Sequence, residues 1–204
     1  MSIFDQKVYL LTRTHNRPVA FGRCRESIRK QTILPEWIII TDDPNDNYFK
    51  NIDFHYQLYH PKVRKPRWWI RHHNPFNDYF NQAMEIIPDG NFILYLDDDD
   101  MLLDPEWIAT ILEKNEDVLV GKFQLGPAHN HAVIGTEIRR GKIGGSCIAI
   151  RSEIARRHPW PSRGGGDFMF IESVAEKNDF VFLDRIVAGV QSDLNHSWGR
   201  RKSY

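Results

Sequence analysis

Short apolar runs that recur between helical patterns are the feature that most constrains how this chain folds. Residues 7–11, 36–41, 53–59 and 91–96 are rich in Val, Ile, Leu and Tyr, which favour strands. Strands that alternate with helices along a chain are typical of α/β proteins. The sequence therefore predicts an α/β domain with a mainly parallel central sheet flanked by helices.

Helix signals follow several of these runs. Asn16 and Asp104 each stand just before a proline-containing first turn, so both are expected to be helix N-caps. Helices are predicted to begin at residue 17 or 18, near 76, at 105 and near 166. The chain is expected to return through apolar residues 118–123 and through a further strand over residues 145–150.

Length and charge limit the function classes. With 204 residues, of which 41% are hydrophobic, the chain can bury one sizeable core, and we expect a single domain over residues 1–204. Its first half, residues 1–100, would bind a nucleotide, and residues 101–204 would bind an acceptor. The 27 basic and 27 acidic side chains leave no net charge, so no nucleic-acid partner is expected.

The N-terminal sequence and the spacing of the two cysteines predict the cell compartment. Asp5 and Lys7 interrupt the stretch where a signal peptide needs an unbroken apolar run, and no segment has the length of a membrane span. Cys24 and Cys147 lie far apart and outside any CxxC pattern, so reduced thiols are expected rather than a disulfide or a zinc site. We expect a cytoplasmic protein without a transmembrane segment.

Four consecutive aspartates, Asp97, Asp98, Asp99 and Asp100, directly follow the apolar run at residues 92–96. Neighbouring carboxylates repel by about 1 kcal/mol at contact distance in water, and by more where water is excluded. A divalent cation such as Mg²⁺ or Mn²⁺ removes that cost and prefers oxygen ligands. The alternative is a solvated acidic turn in which Asp100 or Asp104 caps the next helix.

Three motifs in this order resemble family 2 glycosyltransferases of the GT-A fold. They are the THNRP turn at residues 14–18, the strand that leads into Asp42 and Asp43, and the aspartate run followed by residues 104–105. The resemblance covers roughly residues 8–107 and implies a GT-A fold with a Rossmann-like sheet. The chain is shorter than many members of the family and in this resembles the minimal transferases of bacteria and large viruses.

The resemblance also implies roles for individual residues. Asp97 and Asp99 match the two DxD positions, and both are implied as metal ligands for Mn²⁺ or Mg²⁺. His196 is a further metal candidate by its position near the C-terminus. The implied nucleotide contacts are Thr12, Thr14, Asn16, Arg17, Asp42, Asp43, Arg71, Asp97 and Asp98.

The sequence departs from the family pattern before the aspartate run. An Arg-Asn-x-Gly step is common there, whereas this chain has FNQA at residues 80–83, so an arginine for the diphosphate is missing. Arg67 or Arg71 can supply it. Both belong to the basic and aromatic segment 61–73, which either holds phosphates and sugar rings or is a solvated loop whose tryptophans pack on the body. The basic tail, with Arg200, Arg201 and Lys202, is another candidate for the diphosphate.

Asp167 follows three glycines and lies near the start of a predicted helix, where its charge is favoured. From the residues alone it is either an N-cap or a catalytic group. The resemblance implies that it is the catalytic base, in a position where the family has a Glu-Asp pair and this chain has Gly166 in place of the glutamate.

The implied activity is transfer of a sugar, of the hexosyltransferase type, from a nucleotide sugar to a hydroxyl of a glycan or glycoconjugate acceptor, with inversion. UDP is the default nucleotide, followed by GDP and dTDP. A nucleotidyltransferase of related fold is one alternative, although the loop at residues 12–18 has no glycine. A non-catalytic nucleotide- or sugar-binding domain is another. A phosphatase of the haloacid dehalogenase type is disfavoured. The catalytic aspartates of such phosphatases typically lie at the first strand, whereas the aspartate run of this chain lies mid-chain, at residues 97–100.

Overall fold

A computed structural model describes residues 6–50, 52–62, 74 and 76–191 of the chain. The strands of this part are β1 (Val8–Thr14), β2 (Glu36–Thr41), β3 (Tyr56–Tyr59), β4 (Phe92–Tyr95), β5 (Asp100–Leu102), β6 (Val118–Gln124), β7 (Val133–Ile134), β8 (Ile148–Arg151) and β9 (Val181–Val190). The α-helices are α1 (Pro18–Arg29), α2 (Phe76–Met84), α3 (Trp107–Lys114), α4 (Ser152–Arg157) and α5 (Gly166–Ala175). Two 3₁₀ turns cover Pro127–His129 and Gly145–Cys147.

The strands form one sheet in the order β3-β2-β1-β4-β8-β6-β9-β5, and β7 pairs with β6. The N-terminal part is wholly parallel, because β1 pairs in parallel with both β2 and β4, and β2 with β3. β8 then inserts antiparallel to both β4 and β6. The predicted α/β architecture is confirmed, with antiparallel pairs added in its second half.

An aromatic cluster joins α2, β4 and α5 beneath the sheet edge. Tyr95 of β4 lies 5.0 Å from Phe80 of α2 and 4.9 Å from Trp160, measured between ring centroids. Trp160 in turn stacks on Phe170 of α5 at 4.9 Å. These rings are almost fully buried. Buried aromatic pairs of this kind stabilise beyond their area, so the cluster holds α5 in a fixed place against the end of β4.

The start of α1 differs from the prediction. Arg17, not Asn16, occupies the N-cap position, and no side chain caps this helix. Asn16 has a left-handed backbone with φ 49°, which asparagine tolerates better than most residues. Its backbone N–H donates to the carboxylate of Asp46, so Asn16 serves the turn before the helix rather than its first N–H groups.

Two other predicted elements are shifted. The segment predicted as a strand over residues 145–150 begins with the 3₁₀ turn Gly145–Cys147, and pairing starts at Ile148. The third helix begins at Trp107 with Glu106 as its N-cap, while the Asp104 carboxylate accepts the backbone N–H of Glu106 at 3.0 Å. Asp104 therefore braces the turn before α3, two residues ahead of the cap position.

Candidate active site

The carboxyl ends of three parallel strands bring the sequence-predicted acidic and polar residues to one edge of the sheet. Thr14 ends β1, Asp42 and Asp43 follow β2, and the aspartate run follows β4. The ladder between β1 and β4 continues to a hydrogen bond from the Leu96 N–H to the Leu11 carbonyl, at 3.0 Å. Ligands of open α/β sheets bind outside these carboxyl ends.

Asp97 is held by Arg13, a residue of β1 that the sequence analysis missed. Arg13 donates from Nε to one carboxylate oxygen at 2.9 Å and from Nη2 to the other at 2.8 Å. Its third nitrogen, Nη1, donates to Asn77 Oδ1 at 3.1 Å, and its guanidinium lies 4.0 Å from the centre of the Phe80 ring. Such a bidentate pair fixes both the position and the plane of the carboxylate.

Asp98 points into the protein and is 2% exposed. Its carboxylate accepts hydrogen bonds from Thr14 Oγ1 at 2.8 Å and from Arg17 Nη1 at 2.7 Å. Burial raises the pKa of Asp98 to about 7, although the Arg17 charge opposes that rise. Both of its oxygens are engaged inside the protein, so its implied role as a direct nucleotide contact does not fit this geometry.

Asp99 shares the guanidinium of Arg17, whose Nη1 lies 3.2 Å from Asp99 Oδ2. The Arg17 side chain is 41% exposed, so the pair faces solvent on one side. Burial raises the pKa of Asp99, and the neighbouring charge of Asp97 adds to that rise. A cation is therefore favoured here, and Arg17 partly supplies the charge.

Asp100 belongs to β5 instead of the loop, and pairs with Val190 of β9. Its buried carboxylate accepts a hydrogen bond from Ser146 Oγ at 2.9 Å. Burial raises the pKa of Asp100 well above its usual value, and the charge of Asp99 contributes further. This aspartate ties the acidic run to the 3₁₀ turn Gly145–Cys147.

Gln191, just after β9, holds the backbone of the run and was also missed. Its buried Nε2 donates to the carbonyls of Ala20 at 2.9 Å and of Asp98 at 3.0 Å, and its N–H donates to Asp99 O at 3.0 Å. Buried carbonyls need such partners. The missed residues share one property, a long sequence separation from their partners.

Three aspartates organise the loop after β2: the predicted Asp42 and Asp43, and also Asp46. Asp42 receives the phenolic O–H of Tyr79 at 2.9 Å, and its other oxygen lies 2.8 Å from His15 Nδ1. Asp43 accepts the Asn45 N–H at 2.8 Å. Asp46 accepts from Thr41 Oγ1 at 2.7 Å, as well as from Asn16. The local Asx-type turns are recognisable from the residue types, but the Tyr79 and His15 contacts are not.

Asp167 lies in the first turn of α5, after Gly165, whose φ of 73° favours glycine. A Cβ added to Gly144 would stand 3.5 Å from Asp167 Oδ2. Gly144 directly precedes the 3₁₀ turn that carries Ser146, the partner of Asp100. Asp100 and Asp167 therefore both approach the same short segment, residues 144–147.

Of the remaining predicted residues, Thr12 does not fit its predicted role, and the others lie outside the described part of the chain. Thr12 is fully buried, and its hydroxyl accepts the indole N–H of Trp37 at 2.9 Å. It is a core residue and cannot reach a bound nucleotide. The residues that lie outside the described ranges are Arg67, Arg71, His196, Arg200, Arg201 and Lys202.

The donor set at the acidic run suits a hard divalent cation. Among the described residues no group of three or more His, Cys, Asp or Glu side chains is arranged as a metal site. Mg²⁺ is typically held by one or two carboxylates, with substrate phosphates and water in the other positions. Asp99 and the part-exposed Asp97 are the carboxylates of the run that would hold such a cation.

None of the helices in the described part of the chain combines the length and the apolar composition of a membrane span.

Comparison with solved structures identifies the architecture. S. aureus TarS (residues 1–349) superposes with a TM-score of 0.69 and 17% identity, over 91% of this chain and 60% of that chain. A Pyrobaculum calidifontis mannosyltransferase in complex with GDP-Man and Mn²⁺ gives 0.65 and 12%, over 94% and 58%. Mycobacterium tuberculosis glucosyl-3-phosphoglycerate synthase, with Mn²⁺ and UDP, gives 0.64 and 8%, over 93% and 73%. The chain has the GT-A fold.

These likenesses concern the GT-A fold and not a particular activity. The chain spans about three fifths of the length of the TarS and mannosyltransferase chains. A nucleotidyltransferase-type enzyme, 4-diphosphocytidyl-2C-methyl-D-erythritol synthase, also superposes, with a TM-score of 0.55 and 9% identity over 93% of this chain and 91% of that chain. No protein-family model and no curated protein sequence matches this chain.

Proposed function

We propose that the chain is a metal-dependent glycosyltransferase that moves a sugar from a nucleoside-diphosphate sugar, with UDP as the default nucleotide, to an acceptor hydroxyl. The observation that carries the proposal is the placement of Asp99 and Asp167. Asp99, whose side chain is 20% exposed, lies beside the part-exposed Arg17, and Asp167 lies near Gly144, next to the 3₁₀ turn whose Ser146 hydrogen-bonds Asp100. Sugar transfer requires a group that stabilises the leaving diphosphate and a base for the acceptor, and these residues supply both.

The donor would lie along the carboxyl ends of β1, β2 and β4. The loop with Asp42 and Asp43 and the turn at Asn16 border that edge, so they are the proposed contacts for the nucleoside. Arg17 is the proposed contact for the diphosphate, because its guanidinium is part-exposed and can pair with phosphate oxygens. Arg71 and the basic tail are further proposed contacts from the sequence.

Asp99 is the proposed metal ligand for Mn²⁺ or Mg²⁺, and His196 is a proposed second one by resemblance. Asp97 presents a carboxylate whose oxygens both already bond Arg13, so it is better suited to orienting the donor and to completing the metal site through a remaining lone pair. When bound, the cation neutralises charge on the departing diphosphate as a Lewis acid. The protein would hold Asp99 and Arg17 next to the diphosphate, where negative charge develops as the sugar leaves.

Asp167 is the proposed general base. Its carboxylate would accept the proton of the acceptor hydroxyl as that oxygen forms a bond to the anomeric carbon and the bond to the diphosphate oxygen breaks. Attack opposite the leaving group inverts the anomeric configuration. The proposed acceptor is a glycan or glycoconjugate, and the proposed transferase is of the hexosyltransferase type. The acceptor would approach along residues 121–145.

A nucleotidyltransferase is the second candidate, since one such enzyme shares the fold. The two differ in the bond that breaks. A nucleotidyltransferase releases pyrophosphate from a nucleoside triphosphate, whereas a glycosyltransferase releases a nucleoside diphosphate from a nucleotide sugar. A non-catalytic binding domain would bind the nucleotide sugar with metal and release nothing.

A thermal-shift panel of UDP-, GDP- and dTDP-sugars, with Mn²⁺ and with EDTA, tests the proposal. We expect at least one nucleotide sugar to raise the melting temperature with Mn²⁺ and not with EDTA, because the metal and the diphosphate bind together. Nucleotide binding that is indifferent to metal removal would contradict the metal role. Pyrophosphate release from a nucleoside triphosphate would favour the second candidate.

A further inference from the structure

Three asparagines at the start of α2 and along it hold the segment that leads to α5. Asn74 donates its backbone N–H to Ser162 O at 2.9 Å. Asn81 donates from Nδ2 to Trp160 O at 2.9 Å and accepts the Trp160 N–H at 2.7 Å. Asn77 lies between them in the sequence. Residues 160–162 belong to no helix or strand and Arg163 forms only an isolated β-bridge, so these contacts help to define where the segment lies.

Asn77 uses both ends of its amide, and it is 4% exposed. Nδ2 donates to Pro161 O at 2.8 Å and to Arg163 O at 3.2 Å, while Oδ1 accepts from Arg13 Nη1 at 3.1 Å. Turning the amide over would set its buried oxygen against the two carbonyls and its nitrogen against Arg13, and unmade hydrogen bonds of buried groups are costly. The orientation of this amide is therefore set from both sides.

Through Arg13 the amide reaches the acidic run. The same guanidinium that donates to Asn77 grips both oxygens of Asp97. A continuous series of hydrogen bonds thus runs from Asp97 through Arg13 and Asn77 to the carbonyl of Arg163, four residues before Asp167. Buried networks of this kind keep a geometry only when each member is satisfied.

Gly166 explains how closely the two sides approach. A Cβ at this position would overlap the Asn77 side-chain nitrogen and would lie 2.5 Å from the Pro161 carbonyl oxygen. The absence of a side chain at Gly166 lets the first turn of α5 rest directly on the Asn77 amide. The helix that carries Asp167 is thereby placed by the same amide that supports Arg13.

We propose that Asn77 is a positioning residue that couples the donor side of the site, at Asp97, to the location of the base-bearing helix α5. The inference rests on the proposed function and deepens it. Donor binding fixes Asp97, Asp97 fixes Arg13, and Arg13 fixes the amide on which residues 161–166 rest. The acceptor base is thereby held in place when a donor is bound.

The substitution that separates the two sides is Asn77→Asp. A carboxylate keeps an acceptor for Arg13 and loses the N–H that holds the Pro161 and Arg163 carbonyls. Asn81→Asp is the matched control. It likewise keeps an oxygen for the Trp160 N–H and loses the bond to the Trp160 carbonyl, on the same helix and the same segment. The two hydrogen bonds of the Asn81 amide join Trp160 and not Arg13.

The experiment is hydrogen exchange of the full chain with and without a saturating nucleoside diphosphate and Mn²⁺. The probe is UDP, GDP or dTDP, whichever binds the wild type most tightly. We expect the probe to protect amides of residues 161–171 in the wild type and in Asn81→Asp. Asn77→Asp should bind within about threefold of wild-type affinity, a difference under 1 kcal/mol, and lose most of that protection.

The possible outcomes separate the proposed coupling from the proposed function. If the wild type binds the probe without protecting residues 161–171, or if both aspartate variants behave alike, the coupling is overturned while the proposed function stands. If none of the three nucleotides binds with Mn²⁺, the proposed function fails and the coupling falls with it. Should Asn77→Asp not fold, Arg13→Lys at saturating probe breaks the series from its other end and must also lose the protection.

Discussion

Arg13 holds both carboxylate oxygens of Asp97, at 2.9 Å from Nε and 2.8 Å from Nη2, across 84 positions of sequence. The pair joins the end of β1 to the loop after β4, and it fixes the first of the four aspartates. Because Asp98 is turned inward to Thr14 and Arg17, the run is not a uniform acidic patch. Its members have different partners and are expected to respond differently to substitution.

Arg13→Lys should lower the free energy of unfolding by about 1.5–3 kcal/mol, since a hydrogen bond to a charged group is worth that much and lysine cannot bond both oxygens in the same way. The contact with the Phe80 ring is lost as well. Urea unfolding measures the change. Lys122→Arg, a part-exposed strand position away from the acidic run, is the control and should change stability by less than about 0.5 kcal/mol. An Arg13→Lys variant as stable as the wild type would mean that the pair contributes nothing.

Asp167→Asn should bind the donor nucleotide with unchanged affinity and transfer sugar about a hundredfold or more slowly, because asparagine cannot take up the acceptor proton. Isothermal titration with nucleotide and Mn²⁺ gives the affinity, and initial rates of transfer give kcat. Glu172→Gln, five residues further along α5 and exposed, is the control. Full transfer activity in Asp167→Asn would show that another group is the base.

Gly166→Ala should destabilise the protein by about 1–3 kcal/mol, the usual cost of inserting a methyl group into a packed site. The added Cβ meets Asn77 and Pro161, and neither the buried amide nor the carbonyl can withdraw without losing a hydrogen bond. Thermal unfolding measures the loss. Gly164→Ala has open space around it and should be close to neutral. Equal melting temperatures for both variants would refute the close packing of α5 on Asn77.

The pH dependence of stability should include a contribution from His158, whose Nδ1 lies 2.8 Å from Ser173 Oγ between α4 and α5. Burial lowers the pKa of His158, and the charges of Lys177 and Arg157 lower it further. The unfolded chain therefore binds the proton at a higher pH than the folded one. The contribution of His158 to the free energy of unfolding is fully present above about pH 6.5, the usual pKa of histidine. It is lost as the pH falls through the lowered pKa of the folded protein.

His158→Gln should remove this contribution. The difference in unfolding free energy between wild type and variant should shrink as the pH drops from 7.5 to 5.5 in urea titrations. Val133→Thr, a substitution of an exposed residue that does not titrate, should show a constant difference from wild type over the same range. A constant difference for His158→Gln as well would refute the lowered pKa.

Much of the fold follows from local patterns, and the reason is physical. Residues 36–41 were predicted as a strand and form one with those limits, because a run of β-branched residues buried on both faces has few other solutions. The short strand β5 was missed, since Asp100 reads as part of a polar loop. Its pairing with β9 is a long-range event that no local pattern indicates.

The candidate site was predictable to the level of the loops that form it and not to the level of side-chain contacts. The aspartate run, the turn at residues 14–18 and the loop after β2 meet because the carboxyl ends of parallel strands share one edge. Arg13, Asn77 and Gln191 were missed because each looks ordinary beside its sequence neighbours. Thr12 was misassigned because alternation along β1 turns it into the core, towards Trp37.

Metal-dependent sugar release tests the central claim most directly. Nucleotide sugars of UDP, GDP and dTDP are incubated with wild type, Asp99→Ala and the exposed control Asp53→Ala, each with Mn²⁺ and with EDTA, and free or transferred sugar is measured. The account predicts that wild type and Asp53→Ala consume at least one donor with Mn²⁺ alone, and that Asp99→Ala is slower by about a hundredfold or more. Sugar release that persists in EDTA, or in Asp99→Ala at the wild-type rate, would contradict it.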